Sequence, residues 1–494
     1  MAPRLPTAAN NRLLKTSSPT HKFTENAHMI SRKMTTSLAS AGVAVLGLAA
    51  VLGLSACSHI PFKDHNSDQG AVVSQGQRIS IVAFEQKLEP SKSLAGIGYY
   101  LPPATTVASW PVGGGPQDAP VQHADAAPNF KVAWSKPIGA GSKGDTEVLA
   151  QPVSDGRLIY TLDGEARVSA FDVNTGATVW SVDLNPHLKR DKTAFGGGLA
   201  LGNGKLFVTS GYRFIDALDP ESGKLIWEKQ TDTQFHAAPT VNDTSVFATD
   251  VDNQIFAFDQ NTGDMSWTYQ AIAEPARLLK TSSPIVSGNM VYAPFSSGEL
   301  VALNAATGDP VWEQVLAQSS RTNALSEIRD ISGRPVLANG IVFAASHSGM
   351  FEAMNATTGD PKWQIEADSI NTPWVSGDVV FLVSLQGELM AASRESGQIY
   401  WLKDLNTGMQ HMKKGAFGLG REKLVGKVPL WSGPVMASNR LVMFNSLGSA
   451  VAYDPNTGEK QSEIPVGGAV YIAPIIVGDK LFVVTDDGKL VAIG

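Results

Sequence analysis

Between residues 239 and 269 the chain reads PTVNDTSVFATDVDNQIFAFDQNTGDMSWTY. Apolar residues 239–241 form a short run, Asn242-Asp243 turn, and 245–249 alternate apolar and polar at period two. Residues 250–253 turn again, 255–258 are a third apolar-rich run, 260–263 a third turn and 265–269 a fourth run. Four short runs of period two divided by turn residues predict a four-stranded antiparallel meander. In the third turn, Asp259 is placed to accept hydrogen bonds from the backbone N–H groups that follow it. Gly263 supplies the positive φ that a β-carbon resists. Trp267, on the fourth strand, offers a flat apolar face and an indole N–H that seeks a carbonyl.

The unit recurs. AFDVNTGATVW (170–180), ALDPESGKLIW (217–227), AFDQNTGDMSW (257–267) and ALNAATGDPVW (302–312) are close copies, and AMNATTGDPKW (353–363) and AASRESGQIYW (391–401) are looser. AYDPNTGEKQS (452–462) ends in Ser462 where tryptophan is expected. The shared positions are Gly176, Gly223, Gly263, Gly308, Gly359, Gly397 and Gly458, with Trp180, Trp227, Trp267, Trp312, Trp363 and Trp401. One meander cannot cover both of its faces, so copies must stack. Small third-strand alanines (Ala170 to Ala452) against the neighbour's tryptophan point to radial stacking, an all-β propeller.

The count of blades follows from the two ends. Ala492 lies 40 residues after Ala452, which marks an eighth third strand without a fourth. FKVAWSKPIG (130–139) supplies an orphan strand with Trp134 before the first copy. Joined, the ends close an eight-bladed ring over residues 128–494. Seven blades is the alternative, should the 402–432 insert disturb the spacing.

Composition narrows the function. A net charge of −7 argues against nucleic acid as a partner, because phosphate binding needs a basic face. The single cysteine excludes disulfides within the chain, and no Cys/His cluster has zinc spacing. There is no H-E-x-x-H and no G-x-S-x-G. The glycine triplets at 113–115 and 196–198 lack the Lys-Ser/Thr of a phosphate loop and are read as turns. TDVDNQ (249–254) lacks the glycine and terminal glutamate of a calcium loop. No catalytic residue, metal site or cofactor is expected.

Residues 38–56, LASAGVAVLGLAAVLGLSA, form an uncharged apolar run after Arg32 and Lys33, the layout of a secretory signal. The ending Leu54-Ser55-Ala56-Cys57 resembles the bacterial lipobox, which implies cleavage before Cys57 and its diacylation. Ser58 rather than Asp next implies sorting to the outer membrane, on its periplasmic face. Residues 1–28 are then an N-terminal extension, 29–56 the signal and 57–127 a Pro/Gly-rich extended tether that packs partly on the propeller.

The phrase A-x-D-x-x-[TS]-G-x-x-x-W resembles the tryptophan-docking repeat of pyrroloquinoline-quinone proteins. That resemblance admits two occupants of different kinds, quinone-dependent dehydrogenases and the BamB family of propeller lipoproteins. The dehydrogenases carry quinone and calcium, and their alcohol-oxidising members a disulfide of adjacent cysteines, whereas the only cysteine here is Cys57. The BamB resemblance implies a non-enzymatic scaffold of the outer-membrane protein assembly machinery. It also implies docking of the barrel subunit's periplasmic domains on interblade connections, with nascent outer-membrane proteins as further partners. Two connections resemble those docking loops, EPARLLKTSSP (274–284) and SSRTNALSEIRDISGRP (319–335). They are expected to present Arg277, Leu278, Leu279 and Lys280 beside Glu327, Arg329 and Asp330. The basic insert 401–431 is read as a solvated loop, with a second contact as its alternative. An envelope propeller that binds a small ligand in its funnel remains the other alternative.

Overall fold

The computed structural model describes residues 88–116, 120–144, 146–186, 195–274, 278, 282–316, 328–413 and 423–494. Cys57, the signal and the start of the tether lie outside them. Eight four-stranded antiparallel sheets form an eight-bladed propeller. The first blade runs Val153–Ser154, Leu158–Leu162, Arg167–Asp172 and Thr178–Asp183, and the next six follow the same plan in chain order. The eighth joins Ile475–Val477, Lys480–Thr485 and Lys489–Ile493 to Val132–Pro137, with Trp134 opposite Ala492. The ring closes with strands from both ends, as the spacing predicts. The 402–430 insert adds a small hairpin, His411–Lys413 with Lys423–Val425, and leaves the count at eight.

Within each blade the motif positions lie in one row across the sheet. Tyr160, Ala170 and Trp180 are direct partners on the second, third and fourth strands, and so are Phe207, Ala217 and Trp227. The alanine is small, so the rings on either side approach over it. Their centroids lie 5.6–6.0 Å apart in seven blades. In the seventh blade Val442 and Ser462 flank Ala452, so both rings are missing.

Between blades, the seat of each indole is the turn glycine rather than the third-strand alanine, which corrects the expected contact. A Cβ on Gly176, Gly223, Gly263, Gly308, Gly359, Gly397 or Gly458 would lie only 2.6–2.8 Å from a ring atom of Trp134, Trp180, Trp227, Trp267, Trp312, Trp363 or Trp401, respectively. These glycines also sit at φ between +67° and +78°. The turn is therefore selected twice, by backbone conformation and by the neighbour's ring. The preceding Asp or Asn, or Ser393 in the sixth blade, shapes it: Asp259 accepts from the N–H groups of Asn261 and Thr262 at 2.8 and 2.9 Å.

Five indole N–H groups then donate to a carbonyl in the next blade's turn, Trp180 to Pro220, Trp227 to Gln260, Trp267 to Ala305, Trp312 to Ala356 and Trp363 to Arg394, at 2.8–3.0 Å. The seam between blades 6 and 7 differs. Trp401 donates to the Tyr99 hydroxyl at 2.8 Å, and Tyr99 donates onward to the Pro455 carbonyl. The seam between blades 7 and 8 has no third turn to dock on, because the eighth blade's outer strand enters from the N-terminus. Ser462 is thus where a tryptophan would have no seat.

Residues 88–127 have little regular structure, as their prolines require, yet they lie along the propeller. The Asp378 N–H donates to Tyr100 O (3.1 Å), Ser438 to Ala124 (2.8 Å) and Gly478 to Val107 (2.8 Å), while Trp110 and Ser154 exchange two bonds of 2.8 Å. Leu201 adds a bond to Pro111 at 2.7 Å. Most of these partners sit at the turns between first and second strands, so the segment straps that face across blades 6, 7, 8, 1 and 2. Val107, Trp110, Val112, Ala124 and Ala126 are the segment's own buried side chains.

Gly308→Ala places a methyl against the Trp267 ring at a positive φ, with an expected loss of about 2–4 kcal/mol. A double-mutant cycle in chemical denaturation checks this. The loss should shrink in a Trp267→Leu background, and an undiminished loss would contradict the ring-on-glycine seat.

Candidate partner-docking face

In a meander of antiparallel strands, the first and third turns share one end of the blade. The second turn and the connection to the next blade share the other. The strap therefore covers the face that carries the Asx-glycine turns, and the long connections between blades leave from the opposite face. Three of those connections belong here, 274–284, the stretch before Val336, and the 402–430 insert with its hairpin.

The first two are tied to each other. The Leu278 N–H donates to the Asp330 carboxylate, the Ser282 hydroxyl donates to Gly333 O at 3.1 Å, and Arg334 Nη2 reaches Pro284 O at 3.5 Å. Arg329 is exposed on this face, its backbone seated against Gly298 of the second turn of blade 4. Leu278 is half-buried. Asp330 was expected at the surface beside Arg329, but only 2% of it is exposed. Its side chain is spent on the Leu278 amide, and its carbonyl accepts from His347 N–H at 2.8 Å. It is the tie between the loops rather than a contact residue. Arg277, Leu279, Lys280 and Glu327 lie outside the described residues.

The central channel holds a cavity of about 110 Å³ lined by residues in or just before the first strand of every blade and by Trp110, Gly113 and Gly114 of the strap. Ser282, Ser283, Ser332 and Arg334, the inner ends of the two tied loops, are part of its wall. Sequence reading missed them, since single polar residues just before a first strand carry no spacing that marks them. The glycine triplet 113–115 is indeed a turn, with the Gly115 N–H donating to Val112 O at 3.0 Å, whereas 196–198 runs into the first strand of blade 2, where Gly197 and Gly198 pair with Ser210 and Thr209.

Shifted titratable groups lie mostly elsewhere. Burial, with Glu228 opposite, pushes the Asp216 carboxyl up to about 8, and burial likewise raises Glu352. Neither lines the cavity. Among the described residues no group of three or more His, Cys, Asp and Glu is placed to hold a metal ion. No helix among them is long and apolar enough to cross a membrane.

Comparison with known proteins gives the family context. A family model described as outer membrane protein assembly factor BamB matches residues 164–403 and 410–494. An uncharacterized protein of Rickettsia prowazekii (strain Madrid E) is 30% identical over 268 residues, which are 54% of this chain and 64% of that protein. A second, from Rickettsia conorii, is 30% identical over 66% of its length, so the chain spans less than two thirds of either relative. The outer membrane protein assembly factor BamB of Burkholderia pseudomallei is 26% identical over 72% of this chain and 85% of its own. Among solved structures, BamB from Moraxella catarrhalis superposes with a TM-score of 0.62 at 18% identity, covering 74% of this chain and 99% of that one. The quinohemoprotein alcohol dehydrogenase of Comamonas testosteroni superposes with a TM-score of 0.59 at 16% identity, covering 79% and 81%. At such identities the solved structures share the fold.

Two measurements test the site's physics. A carboxyl whose folded pKa is raised stabilises fully below its unfolded value, and that contribution is lost as pH rises to the folded value. The wild-type Tm should therefore fall relative to Asp216→Asn between 3.8 and about 8, and parallel curves would contradict a buried neutral acid. Asp330→Ala should speed hydrogen exchange of the Leu278 amide and the loop that follows, whereas unchanged exchange would deny the tie.

Proposed function

The chain belongs to the family described as outer membrane protein assembly factor BamB, and from that membership we propose that it is a non-enzymatic scaffold in outer-membrane protein assembly. In this reading Cys57 carries the lipid that holds the protein on the periplasmic face of the outer membrane. Residues 29–56 are the signal, residues after Cys57 are the tether, and residues 128–494 are the propeller that binds. The partner is the barrel subunit of the assembly machinery, through its periplasmic domains, with nascent outer-membrane proteins passing nearby.

The observation that carries the reading is the asymmetry of the two faces. One is strapped by the chain's own N-terminal segment. The other presents two adjacent loops fastened by the Leu278–Asp330 and Ser282–Gly333 bonds. Two loops tied at Leu278–Asp330 and Ser282–Gly333 spend less conformational entropy on binding than two untied ones. Arg329, exposed there, and the Leu278-Leu279 pair suit a patch where a few apolar and arginine anchors carry most of the affinity. Arg277, Lys280 and Glu327 would complete it. The basic insert 401–431 leaves from the same face and adds a second candidate contact. The alternative of a quinone-dependent dehydrogenase is supported only by fold likeness.

Replacing Leu278 and Leu279 together by Asp should reduce co-purification of the barrel subunit about tenfold or more without loss of the folded propeller's circular dichroism. Unreduced recovery would refute the patch. Cys57→Ala should move the protein from the membrane fraction to the soluble periplasm, and retention in the membrane would refute the lipid anchor.

A further inference from the structure

The central cavity has a chemical character that the scaffold reading does not use. Three of its lining side chains have a donor without a hydrogen-bond partner among the described residues: Trp110 Nε1, Ser332 Oγ and Arg334 Nε. Arg334 is half-buried as a residue, but its guanidinium Nε is shielded from solvent. Burial depresses its guanidinium to about 9, so it remains charged at neutral pH. Its one hydrogen bond runs to Pro284 O, at the long distance of 3.5 Å. No carboxylate among the described residues pairs with it. A buried cation without a counter-charge costs several kcal/mol, and folded proteins balance such a charge with an anion or a dense set of acceptors.

Among the other polar wall groups, the Ser282 hydroxyl already donates to Gly333 O and Gln151 is engaged at both ends of its amide. Gln151 Oε1 accepts from the Gly114 N–H at 3.0 Å, and its Nε2 donates to Ala473 O and Pro474 O at 3.0 and 3.2 Å. The strap is shaped to keep the donors in place. Gly114 and Gly115 take φ of +86° and +100°. A side chain on Gly114 would strike the Arg334 guanidinium, and one on Gly115 would lie 3.2 Å from the Trp110 ring. The rest of the wall is largely apolar, with Val121, Val336, Trp374 and Val435 among its members.

We propose that this cavity is a binding site for a small oxyanion, a carboxylate or a phosphate, held by Arg334 with Ser332 and Trp110. A guanidinium, an indole N–H and a serine hydroxyl that can turn its hydrogen toward the ligand favour a negatively charged group of several lone pairs. The apolar wall accommodates a compact body behind that group. Water alone would leave the guanidinium's charge uncompensated. The site is independent of the docking reading, so its failure would leave that reading intact. If both hold, the ligand touches the inner ends of the two docking loops, since Ser332 and Arg334 belong to one of them and Ser282 to the other.

The test uses purified full-length protein in detergent, with inorganic phosphate and benzoate as separate probes and chloride at matched ionic strength as control. The expected result is a saturable rise in Tm and a saturable change in tryptophan fluorescence with at least one probe. The probe that binds separates a phosphate from a carboxylate ligand. Arg334→Met should weaken it about tenfold or more, the scale of one charge-assisted hydrogen bond. Ser332→Ala should weaken it less while leaving the fold intact, which keeps the proposal testable if Arg334→Met does not fold. No saturable effect of either probe on the wild type would overturn the proposal, as would equal binding by wild type and both variants. Asp118, in the strap's sequence between Pro116 and Pro120, lies outside the described residues; binding that appears only in Asp118→Asn would also overturn the proposal, since the chain's own carboxylate would then be the partner of Arg334.

Discussion

The propeller depends on the seating of one blade's tryptophan on the next blade's turn glycine. Seven seams combine a backbone at positive φ with the absence of a β-carbon, and five of them add a carbonyl turned toward the indole N–H. The Asx turn supplies the first and third, and glycine supplies the second. The motif is therefore a joint, half of it in each of two neighbouring blades. It repeats because a closed ring of meanders has a joint at nearly every seam. The alanine row inside each blade serves the same end, letting a second-strand aromatic back the tryptophan at 5.6–6.0 Å.

Where the joint is altered, the chain's ends are at work. The eighth blade takes its outer strand from the N-terminus and so has no third turn, and Ser462 replaces the tryptophan that would have docked there. At the seam before it, the Tyr99 hydroxyl enters between Trp401 and Pro455. The N-terminal segment is thus part of the ring's mechanics as well as a lead-in to it. By lying over the first-strand turns it occupies one face and leaves the face of the interblade connections open.

Much of this was legible in the sequence because it is local or periodic. Period-two runs, the D-x-x-[TS]-G turn and the recurring tryptophan give strands, blade plan and count, and Trp134 with Ala492 gives the closure. The path of the strap was not legible: prolines announce the absence of regular structure but not the surface on which an extended chain lies. The glycine's second role was hidden because a turn explanation was already sufficient. Asp330 reads as a surface acid in a polar loop. Only the spatial neighbour Leu278, 52 positions away, turns it inward. The cavity donors Ser332 and Arg334 escaped for the same reason, since they converge with Trp110 only after the ring has closed.

The central claim is that the partner binds the loop face and not the strapped face. Site-specific photo-crosslinking in intact membranes tests it most directly, with the probe placed at Arg329 on the open face and, separately, at Asp378, exposed beside the strap on the opposite face. The account predicts a crosslink to the barrel subunit from Arg329 and none from Asp378. A crosslink from Asp378 with none from Arg329 would contradict it.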